Sequence, residues 1–274
     1  MLKIKYFFKQ NRMIILIACI ILICSIAIAF GVYAQVTNKS MITEKKEEEE
    51  KNYEALKSSF KDIFTNNINK QETADMSFDY DEIIYCKYNI QTENSGKYNI
   101  DAKVPLFKIE NEVTAKINKE IFDTFARKII DIINNATVHT TYNLDYVAYV
   151  NENILSLIIK CNYKNGSNPQ RIMIQTYNYD LQNNKLLNIE EILNYKNLNK
   201  EEVESKISSE IKSVNSQMKS IHQQGYNVYI RDEEADIYKI ENTTNFFLGE
   251  KNYLYLIYAY GNNNYTSDMD LIIF

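Results

Sequence analysis

The chain opens with one long apolar run and then alternates between two hydrophobic periods. Met13 to Ala34 is 22 residues without a charge, long enough as a helix to cross the ~30 Å hydrocarbon layer of a bilayer. Residues 35–79 are polar. In them the charge run Lys45 to Lys51 leads into Tyr53, Leu56, Phe60, Ile63 and Phe64 at helical spacing. This predicts a charged stalk and an amphipathic helix, with a stripe short enough to dock on a globular domain rather than build a coiled coil. From residue 80 the period becomes that of strands. Glu82–Gln91 and Lys97–Phe107 flank the turn Glu93-Asn94-Ser95-Gly96 and predict a β-hairpin, with Pro105 ending the second strand or placing it at an edge. Val113, Ile117, Ile121, Phe125, Ile129 and Ile133 recur every four residues, flanked by Phe122 and Ile130, and predict a helix from Glu110 to Asn135 that lies on a sheet. Val138–Val150, Ile154–Tyr163 and Arg171–Asp180 read as an antiparallel meander, followed by a short helix at Ile189–Leu193. Glu201–Gln223 predicts a second long helix, with Val203, Ile207, Ile211, Val214, Met218 and Ile221 on one face. Asn245–Leu248, Tyr253–Tyr260 and Met269–Phe274 close the chain as strands. Strand and helix groups mixed without βαβ regularity predict an α+β fold, mainly an antiparallel sheet with two long amphipathic helices, after one N-terminal transmembrane helix.

Charge orients this plan. Lys3, Lys5, Lys9 and Arg12 precede the apolar run without an acid, so the positive-inside rule makes residues 1–12 a cytoplasmic tail. Residues 13–34 are then the membrane helix in contact with the lipid bilayer, 35–79 the stalk and 80–274 an extracytoplasmic domain of a single-pass protein of the cell membrane. A second reading stays open at Ala34. Val32-Tyr33-Ala34 before Gln35 resembles a signal-peptidase site, so processing after Ala34 competes with an uncleaved anchor. With four of the 31 bases and none of the 36 acids in the first 34 residues, the exported part is formally −9. That disfavours nucleic acid and favours a cationic partner.

Candidate chemistry is sparse. Cys86 and Cys161 are the thiols of the exported part, each in a strand-like context, and one long-range disulfide between them is a reading whose geometry sequence does not test. No CxxC, phosphate-binding glycine loop, GxSxG or HExxH occurs. His139, at the start of a strand, and His222, at the end of a helix, read as structural. We therefore expect no catalytic constellation, no cofactor and no metal ligand set. Asp232, Glu233, Glu234 and Asp236 form an acidic loop without EF-hand spacing. If the domain binds a ligand, this loop and the loop Lys164, Asn165, Gly166, Ser167, Asn168 and Gln170 are the candidate contacts.

The wording of several segments resembles one extracytoplasmic family. The similarity runs through Asn99-Ile100-Asp101-Ala102-Lys103-Val104-Pro105 before a helix with Asn118, then Asn153-Ile154-Leu155-Ser156-Leu157. It continues through Thr176-Tyr177-Asn178-Tyr179-Asp180-Leu181 with Lys185-Leu186-Leu187, and closes at Asn245-Phe246-Phe247-Leu248 with Tyr253-Leu254-Tyr255. Together, over roughly residues 80–274, these are similar to the module outside the membrane in lysozyme-sensing anti-sigma factors of Gram-positive bacteria and before the catalytic domain of some peptidoglycan deacetylases. The resemblance implies an α+β fold, a cell-envelope setting and a binding role, with lysozyme or wall glycan as partner. Twelve residues ahead of the membrane run are too few for a sigma-binding domain. Any sensor or regulator role is therefore expected to pass through a membrane partner or through cleavage after Ala34.

Overall fold

A computed structural model describes residues 47–60, 62–64 and 83–274. The apolar run 13–34, its basic flank and Ala34 lie outside these residues; among the described residues no helix is long and apolar enough to cross a membrane. The chain divides into two compact units, residues 1–56 and Lys57–Phe274. Of the first, residues 47–56 are helical.

The second unit is α+β with a mostly antiparallel sheet. Strands β1 (Ile84–Asn94) and β2 (Tyr98–Phe107) form the hairpin expected around Gly96. Helix α1 (Glu112–Ile121), a π-helical turn at Phe122–Ala126 and α2 (Arg127–Asn135) then carry the chain across one face. The chain returns as β3 (Thr140–Asn151) beside β2 in parallel, and β4 (Ile154–Asn165), β5 (Arg171–Asp180) and the two-residue β6 (Lys185–Leu186) complete a sheet of order β1-β2-β3-β4-β5-β6. Pro105 stands inside β2, where pairing with β3 has already stopped at Ala102, so its missing N–H interrupts no ladder on that side. The end of β2 is held by Asn118 of α1. Its side-chain oxygen accepts from Phe107 N–H at 2.8 Å, and its amide donates to Phe107 C=O at 2.9 Å.

The long helix buries Ile117, Ile121, Phe125 and Ile129, four residues apart, then Ile132. In a plain α-helix each four-residue step overshoots one turn by about 40°, so such a row would spiral off the sheet. The π turn, with its wider i→i+5 closure, takes up the overshoot in mid-helix. Beyond it the row returns to a three-residue step, which buries Ile132 and leaves Ile133, an expected member of the stripe, 41% exposed and Ile130 50% exposed.

Helices α3 (Ile189–Lys196) and α4 (Lys200–Gln223) follow, both N-capped by asparagine, Asn188 and Asn199. The closing strands β7 (Phe246–Leu248), β8 (Leu254–Asn262) and β9 (Tyr265–Ile273) form a separate three-stranded antiparallel sheet. The layers are therefore α1–α2, the six-stranded sheet, the three-stranded sheet, and α3–α4. One core fills the space under α1–α2, with Ile100, Val104, Leu144, Leu157 and Tyr179; another lies between α3–α4 and the small sheet, with Ile192, Val203, Ile207, Leu248 and Leu256. Between the sheets, Tyr149 stacks on Phe247 at 6.0 Å and Phe247 on Tyr255 at 4.5 Å. Phe60, at the end of the stalk helix, is buried against both Phe247 and Tyr255, and Lys57 pairs with Glu210 of α4 at 2.8 Å.

A polar seam joins the sheets. Among the described residues the outer edge of β7 has no strand beside it, and side chains standing on the large sheet take its place. Phe246 N–H donates to Thr176 Oγ1 at 3.0 Å, Leu248 N–H to Ser156 Oγ at 3.0 Å, and Asn178 Nδ2 donates to Phe246 C=O at 2.7 Å. Ser156 in turn donates to Asn178 Oδ1 at 2.6 Å, and Asn151 reaches Leu248 C=O and Gly249 C=O.

The disulfide that the sequence left possible between Cys86 and Cys161 is not formed. Cys86 is an exposed thiol on β1 and Cys161 a buried one on β4. Two strands, β2 and β3, separate them in the sheet, far beyond the reach of an S–S bond, given ~4.8 Å between neighbouring strands.

Candidate functional site

Both loops singled out in the sequence are fastened to the same strand. Of the predicted loop from Lys164 to Gln170, Lys164 and Asn165 are the end of β4, paired with Thr141 and Thr140, and residues 166–170 form the β4–β5 connection, where Gln170 C=O accepts from Ser267 N–H of β9 at 2.8 Å. Beside it, Arg171 Nη1 donates to Tyr265 C=O at 2.8 Å. Asn165 is engaged at its other end, accepting from Thr140 Oγ1 and from Asn168 N–H through its carbonyl; Ser167 and Asn168 are exposed. Three residues further along β9, Asp270 receives two bonds from Arg231, Nε at 2.7 Å and Nη2 at 2.8 Å. Arg231 is the residue that leads into the acidic loop.

Two of the four acids of the acidic loop are paired with lysines within the fold. Glu233 accepts from Asn215 Nδ2 at 2.7 Å and Lys219 Nζ at 3.1 Å, which hold its carboxyl below the usual range. Asp236 pairs with Lys239 at 2.6 Å and is lowered by that bond. Asp232 receives Glu234 N–H in a local turn, and Glu234 is exposed. Among the described residues no group of three or more metal-ligating side chains comes together. Asn215, on the face of α4 that the sequence assigns to apolar residues, is buried because its amide closes the loop, accepting Arg231 N–H and donating to Arg231 C=O at 2.9 Å each.

Above this anchor stands a group of tyrosines that sequence reasoning did not single out. Arg231 lies 3.9 Å from the centre of the Tyr260 ring, Tyr229 stacks on Tyr260 at 5.4 Å and 19°, and Tyr265 meets Tyr229 edge-on at 5.8 Å. The three tyrosines are partly exposed. Burial pushes the Asp270 carboxyl upward, and the two Arg231 donors and the Tyr238 hydroxyl pull against it. Burial also raises the Tyr260 phenol to about 12. Gly261 makes the bend of β8 possible. It sits at a bulge with φ +141°, and a Cβ there would lie 2.8 Å from Ser267 Cα. A signal for this face was present in the sequence: the chain uses four Arg against 27 Lys, and two of those four anchor it, Arg231 through a planar two-nitrogen contact to Asp270 that lysine does not reproduce and Arg171 through Nη1 to Tyr265 C=O.

The fold and this face define an α+β domain of two sheets with an anchored tyrosine cluster at the end of its β8–β9 hairpin. No family model matches the chain, and no curated protein does. Among solved structures it is similar to a DUF3298 family protein from Pseudomonas aeruginosa, with a TM-score of 0.40 at 12% identity over 66% of this chain and 84% of that one. It is also similar to a DUF3298 family member from Bacteroides fragilis, with a TM-score of 0.38 at 14% identity over 64% and 80%.

Proposed function

We propose that the chain is a membrane-anchored, non-enzymatic binding module displayed outside the membrane at the cell envelope, with lysozyme or wall glycan as its ligand. The observation that carries this reading is the convergence on β9. Two loops far apart in sequence and a partly exposed tyrosine cluster meet on one rigid strand, and rigid placement of aromatic side chains is what low-cost recognition needs. The apolar run 13–34 and the basic residues before it support the address, and the formal −9 of the exported part suits a cationic protein such as lysozyme. The test is binding of the purified full-length chain, in detergent, to immobilised lysozyme and to wall fragments at low and high salt, with an equally basic unrelated protein as control. Saturable binding that survives salt and spares the control supports the module. Lysozyme binding that vanishes in salt or equals the control reports the charge alone, and if wall fragments also fail to bind, the reading falls.

A second reading, a sensor or regulator that signals through a membrane partner or through cleavage after Ala34, is favoured by one feature. Strand β8 carries Tyr255, which seats Phe60 of the stalk, and five residues on carries Tyr260 of the tyrosine cluster. If the two ends are coupled, Phe60→Ala changes ligand affinity as well as stalk docking. Unchanged affinity would leave the plain binding module.

A further inference from the structure

We propose that β1 is a self-association edge, along which two copies of the chain pair antiparallel, β1 to β1, about a two-fold axis. Among the described residues the other sheet edges are closed or too short to pair. Strand β6, at the far side of the large sheet, has two residues. The outer edge of β7 is met by Thr176, Ser156 and Asn178. Along β9, Ser267 N–H donates to Gln170 C=O, while Tyr265 C=O accepts from Arg171 and Ile273 C=O from Lys206 Nζ at 2.6 Å. Strand β1 differs. It runs for 11 residues without a proline and, among the described residues, pairs with β2 alone. The bulge between Cys86 and Tyr88 breaks the register only near its start and leaves residues 88–94 regular against β2, with Asn89, Gln91 and Glu93 exposed. A long edge of this kind is a template for another strand.

The pattern of β1 itself selects a second copy as the occupant. Its two charges are Lys87 and Glu93, near opposite ends. Antiparallel pairing with an identical strand sets the Lys87 of each copy beside the Glu93 of the other, whereas parallel pairing sets like on like. In the antiparallel register Ile90 faces itself across the axis and Tyr88 faces Thr92 of the other copy. Tyr88 and Ile90 are only partly buried where they pack on the core under α1–α2, Tyr88 against Phe122 at 6.4 Å, and the apposed strand covers them. The joined sheet then ends on a two-residue β6 at both sides, so this self-complementary contact closes at two copies and builds no filament.

The test is the mass of the full-length chain in detergent, followed by sedimentation velocity over a range of protein concentrations, with residues 13–34 present in every variant. We expect a dimer. Lys87→Glu and Glu93→Lys, both at exposed positions, should each raise its dissociation constant on the order of tenfold. The double reversal should restore it, which a loss of local stability at either position would not do. Cross-linking reads the register. In a Cys86→Ser background, Ile90→Cys should join two copies under mild oxidation, whereas Asn94→Cys, which faces position 86 of the other copy, should not. A single-chain mass at every concentration overturns the proposal. A dimer that ignores both reversals, or that links through Asn94→Cys in place of Ile90→Cys, overturns it as well, because association then runs through another surface.

Discussion

Asp270 is buried, with Arg231 as its ion-pair partner and Tyr238 Oη donating to it at 3.5 Å, so removing either member of the pair leaves an uncompensated ion in a poorly solvated place. Arg231→Met is expected to lower unfolding free energy by about 3–5 kcal/mol, and the double variant Arg231→Met with Asp270→Leu to recover much of that loss. Urea denaturation of the two variants measures the difference, and equal losses would mean that the pair acts through packing of Tyr260 instead. The thiols give a second, independent check. Burial holds the Cys161 thiol up to about 12, and Cys86 is exposed. In the native chain an alkylating reagent should modify Cys86 and spare Cys161 until denaturant is added; mass mapping reads the result, and a disulfide-linked peptide pair would contradict the strand order.

In the helix α1–α2, the π turn decides which isoleucine faces the sheet. Ile132→Ala is expected to cost about 2–5 kcal/mol, as for a fully packed side chain, while Ile133→Ala stays within about 0.5 kcal/mol. Thermal or urea unfolding of the pair separates this from an uninterrupted four-residue stripe, which predicts the opposite order. The start of α3 carries a pH signature. Glu191 accepts from Lys185 Nζ at 2.6 Å and from Asn188 N–H at 2.9 Å, and both bonds lower its carboxyl below the ordinary 4.5. The native state then binds fewer protons than the unfolded one between the two values. This contribution is present above pH 4.5 and is lost as pH falls through the lowered native value. As pH falls below 4.5, wild type should lose more stability than Glu191→Gln; parallel curves would rule out the cap as the source.

Across the whole molecule, the two sheets depend on a seam that no strand pairing supplies. Asn178→Leu removes the donor to Phe246 C=O and the acceptor of Ser156 at once, leaving buried groups unpaired at an expected cost of about 1–3 kcal/mol each. Urea unfolding should show that loss, and a loss below about 0.5 kcal/mol would mean that water replaces the seam. The seam also shows where sequence reading stops. The hairpin, the meander, the two long helices and the terminal strands were legible because each repeats a period of two or near four over enough residues to name its own geometry. The loops at 164–170 and 232–236 were legible as turns for the same local reason. Partnership was not. Asn178 and Ser156 read as polar interruptions in strands, and only the arrival of β7 from some 70–90 residues later makes them an edge's hydrogen-bond partners. Cys86 and Cys161 shared a strand-like context, and the order of strands keeps them apart. Tyr229, Tyr260 and Tyr265 were three among 22 tyrosines until a buried Arg231–Asp270 pair placed them on one face. Local periodicity fixes an element because neighbours in sequence are neighbours in space; a site built by residues far apart along the chain exists only once the sheets have packed.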